Sequence, residues 1–213
     1  MPRPSRLLLA GAALLAATPA FAHPHVWITT RAELDYGPDG TLRAVRHAWT
    51  FDPTYSAFAV QGLGQSPTGP VNPAALAALA RDNAQNLAEQ GYFTVLKVDG
   101  RKQDFGAAAD PAMTFADGKL TLRFTLPVKA PAAGTASLEV YDPTYFVAFS
   151  LAEDEGAATL AGAPARCRAT AHRPKGAVAA APAATGMSEA FFEAMTAASS
   201  YGVQFANRIV VAC

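Results

Sequence analysis

The sequence predicts an α+β fold, mainly antiparallel sheet with two or more helices. Two observations predict the sheet: stretches of alternating branched and aromatic residues, and turn signals of Gly, Asp and Pro that join them in pairs. A third predicts a helix: between Asn72 and Gly91 the apolar residues recur at helical rather than strand spacing.

The elements follow in order. Residues 1–22 have the three parts of a secretory signal: Arg3 and Arg6, an uncharged apolar run from Leu7 to Ala17, and an Ala-x-Ala pattern at Ala20 and Ala22. The run is about half the roughly 20 residues a membrane helix needs, so cleavage after Ala22 is expected rather than a retained anchor. "HVWITTRAELDY" and "LRAVRHAWTF" read as a hairpin around the Gly37–Gly40 turn. Asn72 and Pro73 then supply an N-cap and first helical residue, with Leu76, Leu79, Ala80, Asn83 and Leu87 on the helix and Gly91 closing it.

Strand patterns resume in "YFTVLKV", in "AMTF" and "KLTLRFTLPV" around Ala116-Asp117-Gly118, and in "SLEVYD" and "YFVAFSL". The domain expected to handle the chemistry thus runs over 23–172. Residues 173–185, rich in Pro, Ala and Gly, read as a linker or loop, and 186–213 as a helix capped by Ser188 and a strand, "NRIVVAC", packing back on the domain. "WTFDPTY" at Trp49–Tyr55 recurs as "EVYDPTY" at Glu139–Tyr145, a hint of two related halves.

Lys plus Arg and Asp plus Glu are equal at 17 each, and no basic block is present. Nucleic acid and anionic membrane surfaces are therefore not expected partners. After the leader no long apolar stretch follows, so the product should not be membrane-embedded. The two cysteines, Cys167 and Cys213, read most simply as a disulfide formed in an oxidising compartment; a pair of thiolate metal ligands is the alternative.

Two of the four histidines, His23 and His25, flank Pro24 at the expected cleavage point. Cleavage makes His23 the first residue, with an α-amine and an imidazole able to close one chelate ring. Their ordinary pKa values of about 7.7 and about 6.5 make proton loss to a metal inexpensive near neutral pH. His25, on the same side of an extended chain, would add a third nitrogen. Pro24 has no amide hydrogen, so the planar chelate through deprotonated amides is closed to this terminus. The amine-plus-imidazole bite that remains is the geometry called a histidine brace. Imidazole ligands suit copper, nickel or zinc. The plain alternative is two polar residues at a frayed end.

Further ligands are candidates only. His47, on a strand expected to pair with the one starting at His25, is preferred to His172. Asp52 and Asp142 open the two Asp-Pro-Thr-Tyr segments: each either bonds local amides in a turn or supplies an oxygen ligand, or an acceptor for a ligating imidazole. Tyr55 and Tyr145 are core aromatics or cleft linings. No Gly-x-Ser-x-Gly, His-Glu-x-x-His, phosphate loop or dinucleotide fingerprint is present, so no catalytic residue is assigned.

"AHPHVWI" after a leader, "WTFDPTYSAF" and "VYDPTYFVAF" together resemble the DUF1007 family over most of the chain from His23 to about Phe149. The resemblance implies an exported, periplasmic component of a transport system, linked to membrane permeases of the nickel/cobalt type. The resemblance also implies, for many members, an aspartate-rich loop similar to a calcium-binding loop ahead of the central helix; "QGLGQSPTGPVNPAAL" has no aspartate there, so no calcium site is expected. The leading expectation is a periplasmic transition-metal-binding protein serving metal transport or delivery, and not an enzyme. The alternatives are a transporter accessory module that binds no metal, and a histidine-brace copper oxygenase.

Overall fold

The structure, a computed structural model, describes residues 24–64, 71–174 and 201–213. The leader, His23, the Ser188 helix and all of the 173–185 linker except Arg173 and Pro174 lie outside the described residues.

The hairpin forms as expected from β1 (Val26–Tyr36) and β2 (Leu42–Phe51), paired antiparallel with Ile28 opposite Phe51 and Ala32 opposite His47. Asp52 then opens a helix that the sequence reading passes over, α1 (Pro53–Ala59). Asp at an N-cap before Pro signals a helix start as well as a turn, and seven residues are too few to show an apolar stripe. The expected central helix is α2 (Pro73–Glu89); the Asn72 side chain accepts from the Ala74 amide, and Leu76, Ala80 and Ala84 form the buried stripe.

Gly91, Tyr92 and Phe93 follow with φ of 57°, 55° and 48°, a left-handed turn that aims the chain into β3 (Thr94–Val98). An Asp99-Gly100 turn leads to β4 (Arg101–Gln103). Asp117 and Gly118, both at positive φ (51° and 72°), close the hairpin of β5 (Ala109–Ala116) and β6 (Lys119–Ala132), as Asp-Gly predicts. The remaining strands are β7 (Ala136–Val140), β8 (Val147–Leu151), β9 (Ala158–Ala161), β10 (Arg168–His172) and β11 (Asn207–Ala212).

The strands form two mostly antiparallel sheets. The first runs β5-β6-β2-β1-β8, with β9 pairing the far half of β1 on the same edge; β8 and β9 are parallel to β1. The second runs β10-β11-β7-β3-β4. The fold is thus sheet-dominated, with two α-helices among the described residues. The C-terminal strand does not merely lean on the body: β11 is the second strand of its sheet. Cys167 and Cys213 are disulfide-bonded, as the simpler cysteine reading expects.

Alternation places Ala32, Leu34 and Tyr36 of β1 and Val45 of β2 against Leu96, Leu138, Ile209 and Val211, so the two sheets pack face to face at one end. Toward the other end, Trp49, Phe51, Leu122 and Phe124 are covered by Leu76 and Ala80 of α2 and by Tyr92. Trp49 is 1% exposed and meets Phe124 and Phe149 edge-on at centroid distances of 4.9 and 5.0 Å. Trp49→Ala is expected to cost about 3–5 kcal/mol, read by denaturant unfolding.

Candidate functional site

The start of β1 is held from both sides, by one Asp-Pro-Thr-Tyr segment on each. On the β2 side, the Asp52 amide donates to the Trp27 carbonyl (2.9 Å), and the Trp27 amide donates to Asp52 Oδ2 (3.0 Å). Asp52 Oδ1 accepts from the Tyr55 amide (2.9 Å), so one carboxylate caps α1 and anchors β1 together. On the β8 side, the buried Asp142 accepts from the Thr144 amide and hydroxyl (both 2.8 Å) and from the Val147 amide (2.9 Å). This shapes the turn that delivers Phe146, whose carbonyl accepts from the His25 amide (2.9 Å).

His25 itself is exposed, its ring 4.5 Å from that of Phe146. Trp27, two residues on and on the same face, is 53% exposed; Phe146 is 47% and Phe58 of α1 is 70% exposed. Most of the large exposed apolar side chains among the described residues therefore belong to β1 or to the segments that grip it. Trp27 and Phe146 are not among the residues expected at the site from sequence, although "HVWITT" as a strand puts His25 and Trp27 on one face.

The candidate ligands separate into two groups. His25, Asp52 and Asp142 lie at one end of the first sheet, with both carboxylates already accepting backbone amides. These are local amide contacts, made at a helix cap by Asp52 and in a turn by Asp142, and the carboxylate oxygens keep lone pairs for a cation. Tyr55 stacks on Phe51 and Tyr145 on Phe205, which makes both packing aromatics. His47 pairs as expected with β1, but opposite Ala32, seven residues and about 23 Å of strand from His25. The structure does not bring it to His25. His172 is exposed on β10, opposite Arg208 in the second sheet. The cysteines, being disulfide-bonded, offer no thiolate. Among the described residues, no three His, Cys, Asp or Glu side chains converge as a metal-ligand group; His23, the residue on which the chelate turns, is not among them.

His47 points into the core because β2 alternates Val45, His47, Trp49 and Phe51 inward. Its ring stacks on Phe124 at 5.1 Å, and Nε2 lies 3.3 Å from Thr94 Oγ1. The Thr94 hydroxyl hydrogen goes to the Tyr92 carbonyl (2.7 Å), so Nε2–H donates to Thr94, and Nδ1 is a bare, unbonded acceptor. Burial lowers the His47 pKa from 6.5 to about 3. The unfolded chain therefore binds a proton here that the fold excludes. The stability at stake is fully present above pH 6.5 and is lost as pH falls toward 3, up to about 5 kcal/mol. Substitution of His47 by Phe should flatten that acid limb, measured as unfolding midpoint against pH.

A mainly antiparallel two-sheet protein that presents an exposed histidine and tryptophan at the clamped start of its first strand is the class that fold and site define. Among the described residues no helix is long and apolar enough to cross a membrane. Over residues 8–213 the chain matches the family described as "Protein of unknown function (DUF1007)", and it belongs to that family. A comparison with curated proteins found no match.

Proposed function

We propose that this is an exported, periplasmic transition-metal-binding protein that serves metal transport or delivery. The supporting observation is the placement of His25: an exposed imidazole whose backbone is pinned to Phe146, while Asp52 pins Trp27 two residues on. Pre-ordering one ligand lowers the entropy lost when an ion is chelated. The α-amine and imidazole of His23, freed by cleavage after Ala22, would close the ring, and His25 would add the third nitrogen. Asp52 and Asp142 act here chiefly as the residues that hold His25 in place; His47 drops from the ligand set because of its register. Copper, nickel, cobalt and zinc all suit such nitrogen donors, and the resemblance to a permease-linked family favours handover to a membrane permease of the nickel/cobalt type.

Calorimetric titration of the leader-cleaved protein with Cu(II), Ni(II), Co(II) and Zn(II) tests the reading. One equivalent should bind, and the His23→Ala, His25→Ala double variant should lose the tight phase; unchanged affinity rejects the site.

A second reading is an accessory module of a transporter that binds no metal. The exposed Trp27, Phe58 and Phe146 around the start of β1, side chains that a protein partner would cover, favour it. Elemental analysis of untagged protein from its own compartment separates the two. The repeated Asp-Pro-Thr-Tyr segments are read as a matched pair of grips on β1, one heading a helix and the other a turn.

A further inference from the structure

We propose that the outer face of the first sheet binds a glycan chain. Alternation along β1 turns Trp27, Thr29, Arg31 and Glu33 outward, and the register continues their rows across the neighbouring strands. Ser150, Thr29, Thr50, Thr121 and Thr114 stand opposite one another on β8, β1, β2, β6 and β5. This unbroken row of five hydroxyls spans about 19 Å at the usual strand separation. Thr50 and Thr121 are in hydrogen-bond contact at 2.9 Å.

In the next row Ala48 stands between Arg31 and Arg123. The short side chain between two long ones leaves a shallow depression of about 370 Å³, which Arg46 and Thr125 also line. Arg31 pairs with Asp154, and Arg46 with Glu33 and Asp35, so these guanidiniums are held in fixed planes beside carboxylate oxygens. Arg123 donates to the Thr114 hydroxyl (3.3 Å). On the opposite side of the hydroxyl row from these arginines, Trp27 lies beside Ala148, which is too small to cover its indole.

The chemistry of the face selects the ligand. A sugar offers an apolar C–H face for an exposed ring and a rim of hydroxyls that both donate and accept. A hydroxyl row matches that rim because each Ser or Thr also does both. Polyanions are disfavoured, since two of the three arginines already have carboxylate partners. The core of a protein interface would need a contiguous apolar surface, whereas here Trp27 and Phe146 border rows of hydroxyls and arginines.

Glycan binding on this face needs no metal ion. The full chain, exported from cells, is incubated in EDTA with insoluble peptidoglycan sacculi and with cellulose, then sedimented. The protein should pellet with at least one of these β-1,4-linked glycans. Trp27→Ala should lower retention about tenfold, as loss of a buried aromatic anchor does, and Thr121→Val by less. Trp27 and Thr121 point away from the core, so the wild-type melting temperature should be kept; Thr29→Ala, at an exposed position, serves as a second probe of the row. The proposal is overturned if neither glycan retains the protein, if retention is unchanged in all three variants, or if the protein pellets with anionic lipid vesicles and not with glycans.

Discussion

Acetylating the His23 α-amine should lower the affinity of the leader-cleaved protein for Cu(II) at least about 100-fold, a loss of about 2.7 kcal/mol. The modification changes no side chain. It converts the His23 α-amine into an amide, which is neither basic nor a ligand near neutral pH, and so opens the chelate ring. His25, still pinned to the Phe146 carbonyl, would be left with a lone neighbouring imidazole. Pro24 has no amide hydrogen to lose, and the acetylated His23 amide has no amine beside it to anchor the ion, so the terminus does not regain the lost chelate. Competition titration against a chromophoric chelator reads the difference. An affinity within threefold of the parent would mean that the α-amine is no ligand.

The second large effect concerns the C-terminal end. Cys167 precedes β10 and Cys213 follows β11, two strands paired antiparallel with Arg168 opposite Ala212. The disulfide closes a loop with a sequence separation of 46. On the chain-entropy account, losing it in a Cys167→Ser, Cys213→Ser double variant costs about 4 kcal/mol. For a chain of this size that corresponds to a drop of roughly 10 °C in melting temperature. The cost falls on a strand in the body of the second sheet, since β11 bridges β10 and β7. Melting of the oxidised and reduced parent protein gives the same test without mutation; coincident curves would show that the bond contributes nothing.

The strands were legible where chemistry and period agree. Asp117-Gly118 between alternating runs fixes a tight hairpin, and Asn72-Pro73 ahead of helical spacing fixes the start of α2. Short elements were not. β9 and β10 are alanine- and threonine-rich segments of four and five residues, with no apolar alternation to betray a strand. α1 hides because Asp-Pro encodes a cap and a turn equally well. The site was half legible for a similar reason. His25 could be placed on the first strand from its spacing, but register is a property of two strands at once. Only the pairing of Ala32 with His47 shows that the second histidine lies far along the sheet and faces inward. The purpose of the repeated Asp-Pro-Thr-Tyr segment was equally hidden, because its two copies act on a strand far away in sequence.

Native mass spectrometry of untagged protein, taken from its native compartment and loaded with Cu(II), tests the central claim most directly, because one spectrum reports both the first residue and the bound ion. A single species is predicted, with the mass of a chain beginning at His23 plus one copper ion. A chain beginning anywhere else, or one beginning at His23 that retains no copper, would contradict it.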